Sequence, residues 1–467
     1  MALELLGFRL LAPLFGASTY VWGSLLGVVM AALACGYLLG GGLADRSPQP
    51  IWVSRALAAS ALWLMLVLIA GSRLLEFCTA LGPISGPLAA ATVLLGPPQL
   101  LLGSISPFVV RLVSEPGGIG TMAGRVFALS TAGSLVGTFS TAFWLIPSYG
   151  SRATLRAWII ALALMSVAGL FSRRRASLLL LPLAVFAPAL GGSRADTALF
   201  RGESAYNTVL VEESGGKRLL LLNDERFGVH SVQSRDRALT GLYYDAFYAA
   251  PILAGRSDIL ILGMAGGTTA QGYRRWFPGT NVTAVEIDPL VVQVADRYFG
   301  VTSSGGLHVR IGDARRFLMD ETRQFDVIEA DIFAGGVYAP FHVVTREFFE
   351  LARNRLRPTG VIAVNVLALG GDDRIAGAVG ATMRSVFSSV YEMPLRDQRV
   401  LFGFREALTI DIVKSRLDRG TPPDLQPVMR NISDRIRRLG DVDGGLVLTD
   451  DHAPIEGLTD QMLRAAR

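Results

Sequence analysis

The sequence predicts a polytopic α-helical membrane domain followed by a small β domain and a doubly wound α/β domain. Three observations predict it. Apolar residues are concentrated before Gly192, a Gly-Gly hairpin signal follows at residues 214–216, and a glycine-rich turn at the end of an apolar strand leads into strands that end in acid. The expected boundaries are 1–192 for the membrane domain, 193–238 for the β domain and 239–467 for the α/β domain.

The membrane reading rests on length and composition. The chain of 467 residues is 51% hydrophobic and only 18% charged, low for a soluble protein. Apolar stretches at residues 20–41, 51–70, 87–113, 126–146 and 153–171 reach or approach the roughly twenty residues that a bilayer crossing needs. A shorter one, 177–190, holds Pro182 and Pro188 and is read as interfacial or re-entrant. Residues 3–17 are apolar but carry Glu4, Arg9 and Pro13, which suits a partial or interfacial helix rather than a cleaved signal. The pairs Gly36/Gly40 and Gly133/Gly137 have the spacing that lets helices approach closely. Pro97, Pro98, Gly103 and Pro107 predict a break in the third span. With the first five stretches crossing, Arg46, Arg55, Arg111, Arg125 and Arg173 to Arg175 share one side, which the positive-inside rule makes cytoplasmic. The soluble part emerges on that side too if 177–190 stays interfacial or re-enters, and on the opposite side if it crosses.

The β domain is read from residues 206–212 and 218–223 around Ser214, Gly215 and Gly216, with 227–232 as a third strand. Beyond it, helices are expected over 239–249, 268–276, 289–297, 345–356 and 373–386, and later strands over 361–366 and 400–404.

The α/β domain carries the chemistry. Its first strand and turn, DILILGMAGGTT at 258–269, contain Gly263, Gly266 and Gly267, which let backbone approach a ligand. The next strand ends at Glu286, a third at Gly312-Asp313 and a fourth at Ala330-Asp331. One such acid is an ordinary strand end or helix cap. Three on consecutive strands mark the edge where open α/β sheets bind ligands, and a carboxylate at Glu286 suits the hydroxyls of a ribose. A nicotinamide dinucleotide is the alternative, but the strict G-x-G-x-x-G is absent.

Other classes are excluded or unsupported. The net charge of +5 rests on arginine, Lys217 and Lys414 being the only lysines, and no basic run is interleaved with aromatics, so a nucleic-acid surface is not indicated. Cys35 and Cys78 lack metal-ligand spacing and read as buried small hydrophobes, and with four histidines outside any His/Cys cluster no metal is expected.

From about Ala205 to Phe404 the chain resembles the spermidine synthase family of aminopropyltransferases, and the whole resembles its membrane-fused bacterial branch. Arg9-Leu-Leu-Ala-Pro, the run GGLADR at 41–46 and LTDDHAP at 448–454 carry that second likeness. The resemblance implies a Rossmann-like domain of the class I S-adenosylmethionine-binding type. Its substrate would be decarboxylated S-adenosylmethionine or S-adenosylmethionine, and its partners a polyamine acceptor, the bacterial inner membrane and a second copy of the chain. It implies that Glu286 holds the ribose, Asp313 reads the adenine amino group, Tyr243, Tyr244 and Asp245 face the substrate, and Asp331 is the first acid of the family's Asp-x-x-Asp.

Two departures stand out. Ala334 replaces the second acid, and Gly266 replaces the acid that binds the aminopropyl ammonium. Without that charge the undecarboxylated sulfonium is not repelled. His230, or Asp450 and Asp451 with His452, are candidates to replace what is lost; Asp450 and Asp451 read otherwise as helix caps. The leading expectation is cleavage on the aminopropyl side, by transfer to an amine or by a lyase-like route, with release of methylthioadenosine. Methyl transfer and a non-catalytic adenosyl-binding transporter or sensor are the alternatives.

Overall fold

The computed structural model describes residues 1–15, 19–82, 84–114, 119–171, 198–223, 229–234, 239–255, 258–303, 305–333, 338–439 and 445–465. They fall into two compact units, Met1–Asp196 and Thr197–Arg467.

The first unit is helical: α1 (Ala2–Phe15), α2 (Thr19–Arg46), α3 (Ile51–Thr79), α4 (Ser85–Val113), α5 (Ile119–Ser140), a π-helical turn (Thr141–Leu145) and α6 (Ile146–Phe171). Five stretches of these helices are long and apolar enough to cross a bilayer. Leu38, Leu129 and Phe143 are 78%, 76% and 77% exposed, so the outer surface is one that lipid rather than water would cover. Cys35, expected to be buried, lies on that outer surface, while Cys78 is buried. The stretch 177–190 lies outside the described residues.

Glycine sets the closest helix contact. A Cβ at Gly36 would overlap the Leu100 carbonyl, and one at Gly40 would stand 2.5 Å from the Ser104 carbonyl oxygen, so α2 and α4 meet backbone to backbone. Gly133 has open space around it and Gly137 only loose neighbours. The same spacing there makes no tight seam.

The expected break in the third span does not occur. Helix α4 runs through Pro97, Pro98 and Pro107. Pro97 removes the N–H that would bond the Val93 carbonyl four residues back, and in hydrocarbon an unpaired carbonyl is expensive. The Trp63 indole of α3 donates to that carbonyl at 3.0 Å. A tertiary hydrogen bond therefore takes the place of the helical one.

The second unit begins with an antiparallel sheet of β1 (Ala198–Glu203), β2 (Thr208–Ser214), β3 (Lys217–Leu222) and β4 (Ser231–Ser234) in that order. Gly215 and Gly216 have φ of 58° and 73° between the paired Ser214 and Lys217, which a two-residue turn with both φ positive requires. Strand β1 adds to the expected strands, and of the third expected strand residues 227 and 228 lie outside the described residues. Val209, Val211 and Leu220 join Phe247 and Phe299 in one apolar core. Buried Asp288 ties the small sheet to the α/β domain: it accepts from Ser204 Oγ at 2.6 Å and Asn207 Nδ2 at 2.9 Å, and caps the helix Pro289–Phe299.

The larger sheet contains β5 (Asp258–Leu262), β6 (Asn281–Glu286), β7 (Leu307–Ile311), β8 (Phe325–Ala330), β9 (Leu356–Leu367), β10 (Ser389–Pro394), β11 (Gln398–Phe404) and β12 (Arg437–Arg438). Across it the order is β7, β6, β5, β8, β9, β11, β10, β12. The first five of these are mutually parallel. Chain order runs outward from β5 to β7 and then restarts at β8 on the other side of β5. That reversal opens a crevice at the carboxyl ends of β5 and β8.

The helix expected over 239–249 forms only as Tyr244–Phe247 and Ala249–Ala254. Asp245 accepts from the backbone N–H groups of Thr240 and Gly241 at 3.0 and 2.7 Å, which holds residues 240–241 in a turn instead.

Trp63→Phe should lower the stability of the detergent-solubilised protein by about 1–3 kcal/mol, the cost of leaving one carbonyl unpaired. In a Pro97→Ala background, where the N–H is restored, the same substitution should cost measurably less. Equal losses of thermal midpoint in the two backgrounds would show that the indole does not serve that carbonyl.

Candidate active site

The switch point is built by a near-collision of backbones. Gly263, just after β5, has φ of 90°, and a Cβ there would overlap the carbonyl oxygen of Asp331, just after β8. The Asp331 N–H donates to Leu262 O at 3.0 Å and the Gly263 N–H to Val285 O at 3.0 Å. Only glycine fits. Gly267, with φ of 73°, would bring a Cβ to 2.7 Å from Val301.

Glu286 sits beneath the turn. Its Oε2 accepts from the Ala265 N–H at 2.9 Å and its Oε1 from the Asp288 N–H at 3.1 Å. Burial raises its pKa, opposed by those backbone donors. Ala265 takes the left-handed region, φ 48°, to present its N–H. Gly266 donates to Ser231 Oγ at 2.8 Å, and a Cβ at 266 would stand 2.8 Å from Ser231 Cβ. Strand β4 thus fills the place that a side chain at 266 would need.

Asp331 stands at the carboxyl end of β8, at the switch point. Its Oδ2 accepts from the Tyr243 hydroxyl at 2.7 Å and its Oδ1 from Asn365 Nδ2 at 2.9 Å. Burial lifts its pKa to about 6, against the lowering effect of those two donors. Tyr243 is held well above its ordinary value by burial and by the Asp331 charge, so it stays a neutral donor. The Tyr244 ring lies 4.0 Å from that of Tyr243, and its hydroxyl donates to Val229 O at 3.2 Å.

Asp313 ends β7, the outermost parallel strand. It caps the helix Ala314–Asp320 by accepting from the Arg316 N–H at 2.8 Å, and its other oxygen lies 3.7 Å from His342 Nε2. Asn365, Asp331, Gly263, Glu286 and Asp313 accordingly follow one another along five adjacent strands.

The remaining candidates are placed elsewhere or otherwise engaged. His230 donates its N–H to Leu220 O at 2.8 Å and accepts from the Leu222 N–H at Nδ1, which ties it to β3. Asp450 pairs with Arg315 at 2.6 Å and accepts from Thr345 Oγ1 at 2.8 Å, and the Arg315 pairing lowers its pKa. Among the described residues it caps no helix, and it does not face Asp331 through these bonds. Asp451 and His452 are exposed. Asp245 closes the turn at 240–241, and Ala334 lies outside the described residues.

Three features are not legible in the sequence. Asn365 lies within an apolar run that reads only as a strand. The Arg315–Asp450 pair joins positions too distant for any local pattern, and the same guanidinium donates to the His342 carbonyl at 2.9 Å, so the carboxyl-terminal segment braces the loop beside Asp313. Glu329, on β8, accepts from Thr269 Oγ1 at 2.7 Å and the Tyr273 hydroxyl at 2.5 Å.

A five-strand parallel edge, a glycine turn at the switch point and acids on successive strand ends define a Rossmann-like α/β domain. A family model described as "Spermine/spermidine synthase domain" matches residues 250–393. A "Probable polyamine aminopropyl transferase" of Bifidobacterium longum is 33% identical over 278 residues, 56% of this chain and 61% of the relative. A "Polyamine aminopropyltransferase" of Vibrio vulnificus is 29% identical over 209 residues, 43% of this chain and 68% of the relative. The chain thus spans less than two thirds of the first of these. The solved structure of a probable spermidine synthase from Corynebacterium glutamicum superposes with a TM-score of 0.43 at 20% identity, covering 55% of this chain and 97% of that one. Over the α/β domain the chain is similar to the spermidine synthase/polyamine aminopropyltransferase family, and its five long apolar helices suggest a membrane-fused form.

Burial raises the Glu329 pKa from 4.5 to about 8. A group that binds its proton more tightly when folded contributes stability that is complete below the unfolded pKa and is lost as pH rises through the folded one. The thermal midpoint should therefore fall between pH 4.5 and about 8, and Glu329→Gln should flatten that fall. An unchanged slope in the variant would remove Glu329 as its source.

Proposed function

We propose that the protein is a membrane-anchored enzyme that cleaves the sulfonium of decarboxylated S-adenosylmethionine, or of S-adenosylmethionine, on the aminopropyl side and releases methylthioadenosine. The observation that carries this reading is the part-buried Tyr243–Asp331–Asn365 cluster at the switch point. Transfer needs a neutral amine in line with the carbon next to sulfur, and an amine arrives in water as ammonium. A carboxylate with a pKa of about 6 is ionised at neutral pH yet basic enough to take that proton. The amine nitrogen then forms a bond to the methylene, the carbon–sulfur bond breaks, and its electron pair stays on sulfur.

Glu286 and Asp313 would hold the nucleoside, Glu286 accepting from the ribose hydroxyls and Asp313 from the adenine amino group, with the backbone of Gly263, Gly266 and Gly267 against the sugar. Tyr243 sets the orientation of Asp331, and Tyr244 packs on Tyr243. The place of the missing acid at Gly266 is occupied by Ser231, which carries no charge to grip an ammonium or repel a carboxylate. Both sulfoniums are therefore admissible. The positive-inside count favours the second unit on the cytoplasmic face of the inner membrane, where such sulfoniums are made.

Purified protein incubated with each sulfonium, with and without putrescine or spermidine, should release methylthioadenosine. Release that needs no amine would identify the lyase-like route. S-adenosylhomocysteine as the product would identify methyl transfer instead, and tight nucleoside binding without turnover a transporter or sensor. Asp331→Asn should cut turnover by about a hundredfold or more while retaining methylthioadenosine affinity, and full activity in the variant would remove Asp331 from its role. Glu286→Ala should weaken nucleoside binding by the loss of charge-assisted hydrogen bonds; unaltered affinity would reject the ribose assignment. Activity should rise as pH passes through about 6, when Asp331 loses its proton. Tyr243→Phe removes a donor that lowers this pKa, so its acid limb should move to higher pH.

A further inference from the structure

The Asn365 amide is only half used. Its Nδ2 donates to Asp331, while its Oδ1 has no hydrogen-bond partner among the described residues although the side chain is buried, the residue being 6% exposed. The two ends of the amide are not interchangeable here. A carboxylate only accepts, so the N–H end must face Asp331 and the carbonyl end must face away from it. Native proteins leave few buried acceptors without a donor, and one beside a reactive carboxylate calls for a ligand N–H.

Because Nδ2 and Oδ1 share one carbon, Oδ1 stands one amide width from the atom that bonds Asp331, close enough for one nitrogen to bridge the two residues. We infer that Asn365 Oδ1 accepts an N–H from the attacking amine, so that one nitrogen is held between Asn365 and Asp331. This rests on the proposed aminopropyl transfer. It assigns to β9 the second amine contact that Ala334 cannot supply.

The chemistry is consistent with a neutral acceptor. A primary ammonium offers three N–H groups: one proton passes to Asp331, one N–H stays on Asn365, and the freed lone pair attacks the methylene as the carbon–sulfur pair leaves on sulfur. Asn365 does not ionise, so the proton has a single destination and the amine is not trapped as ammonium. A tertiary ammonium has one N–H and cannot satisfy both groups.

The test is equilibrium dialysis of labelled putrescine against the full-length protein in lipid nanodiscs saturated with methylthioadenosine. Asn365→Leu should weaken putrescine binding about tenfold or more, the loss of a hydrogen bond to a charged group, with methylthioadenosine affinity within about twofold of the parent. Asn365→Asp keeps the acceptor and loses the donor to Asp331. It should bind putrescine at least as tightly as the parent, whereas a residue that merely positions Asp331 would weaken alike in both variants. Equal weakening, or putrescine affinity unchanged in the leucine variant, overturns the assignment. A parent protein that binds methylthioadenosine but no amine overturns the transfer reading along with it, and amine-independent release of methylthioadenosine then marks the lyase-like route.

Discussion

The structure depends on one close approach, the Asp331 carbonyl lying where a side chain at position 263 would stand. Parallel strands are spaced by their hydrogen bonds, so two strand ends can converge on one ligand only if the chain leaving one of them carries no side chain. Gly263 meets that condition. It lets β5 end in a turn that hands its N–H groups to Glu286 and Ser231, while β8 ends beside it in the Asp331 carboxylate. One ligand can then be addressed from neighbouring strands.

Burial supplies the second constraint. Glu286, Glu329 and Asp331 all have pKa values raised chiefly by loss of solvent, but their donors differ. Glu286 is held by backbone N–H groups, whose positions follow from the glycine turn. Glu329 is tied by Thr269 and Tyr273 and secures the helix Thr268–Trp276 to the sheet. Asp331 alone of the three is flanked by a phenol and an amide while standing at the crevice, and its pKa of about 6 lies close to working pH. The same physical effect acts on an acid below the turn and on one at its rim, with a different set of donors around each.

The membrane unit shows a related economy of hydrogen bonds. Proline in a helix is costly because it orphans a carbonyl, and hydrocarbon offers no water to satisfy it. The Trp63 indole does so across the interface of α3 and α4, and the glycines of α2 bring its backbone against α4. Helix continuity there is a property of the packed bundle and not of the α4 sequence alone.

What the sequence determined by itself is whatever local spacing encodes. Apolar length marked five helices long enough to cross a bilayer, two glycines marked the hairpin at 215–216, and the series of strand, turn and terminal acid marked the parallel sheet and four positions at its carboxyl edge. These signals are legible because period, turn conformation and strand end are set within a few residues. The proline-bearing span, the engagement of Asp450 with Arg315 and the place of Asn365 beside Asp331 were decided only by tertiary structure. Asn365 lies 34 positions from Asp331 and Asp450 lies 135 from Arg315. Hydrogen bonds at that separation arise from strand order and chain docking, which no local pattern of residues specifies.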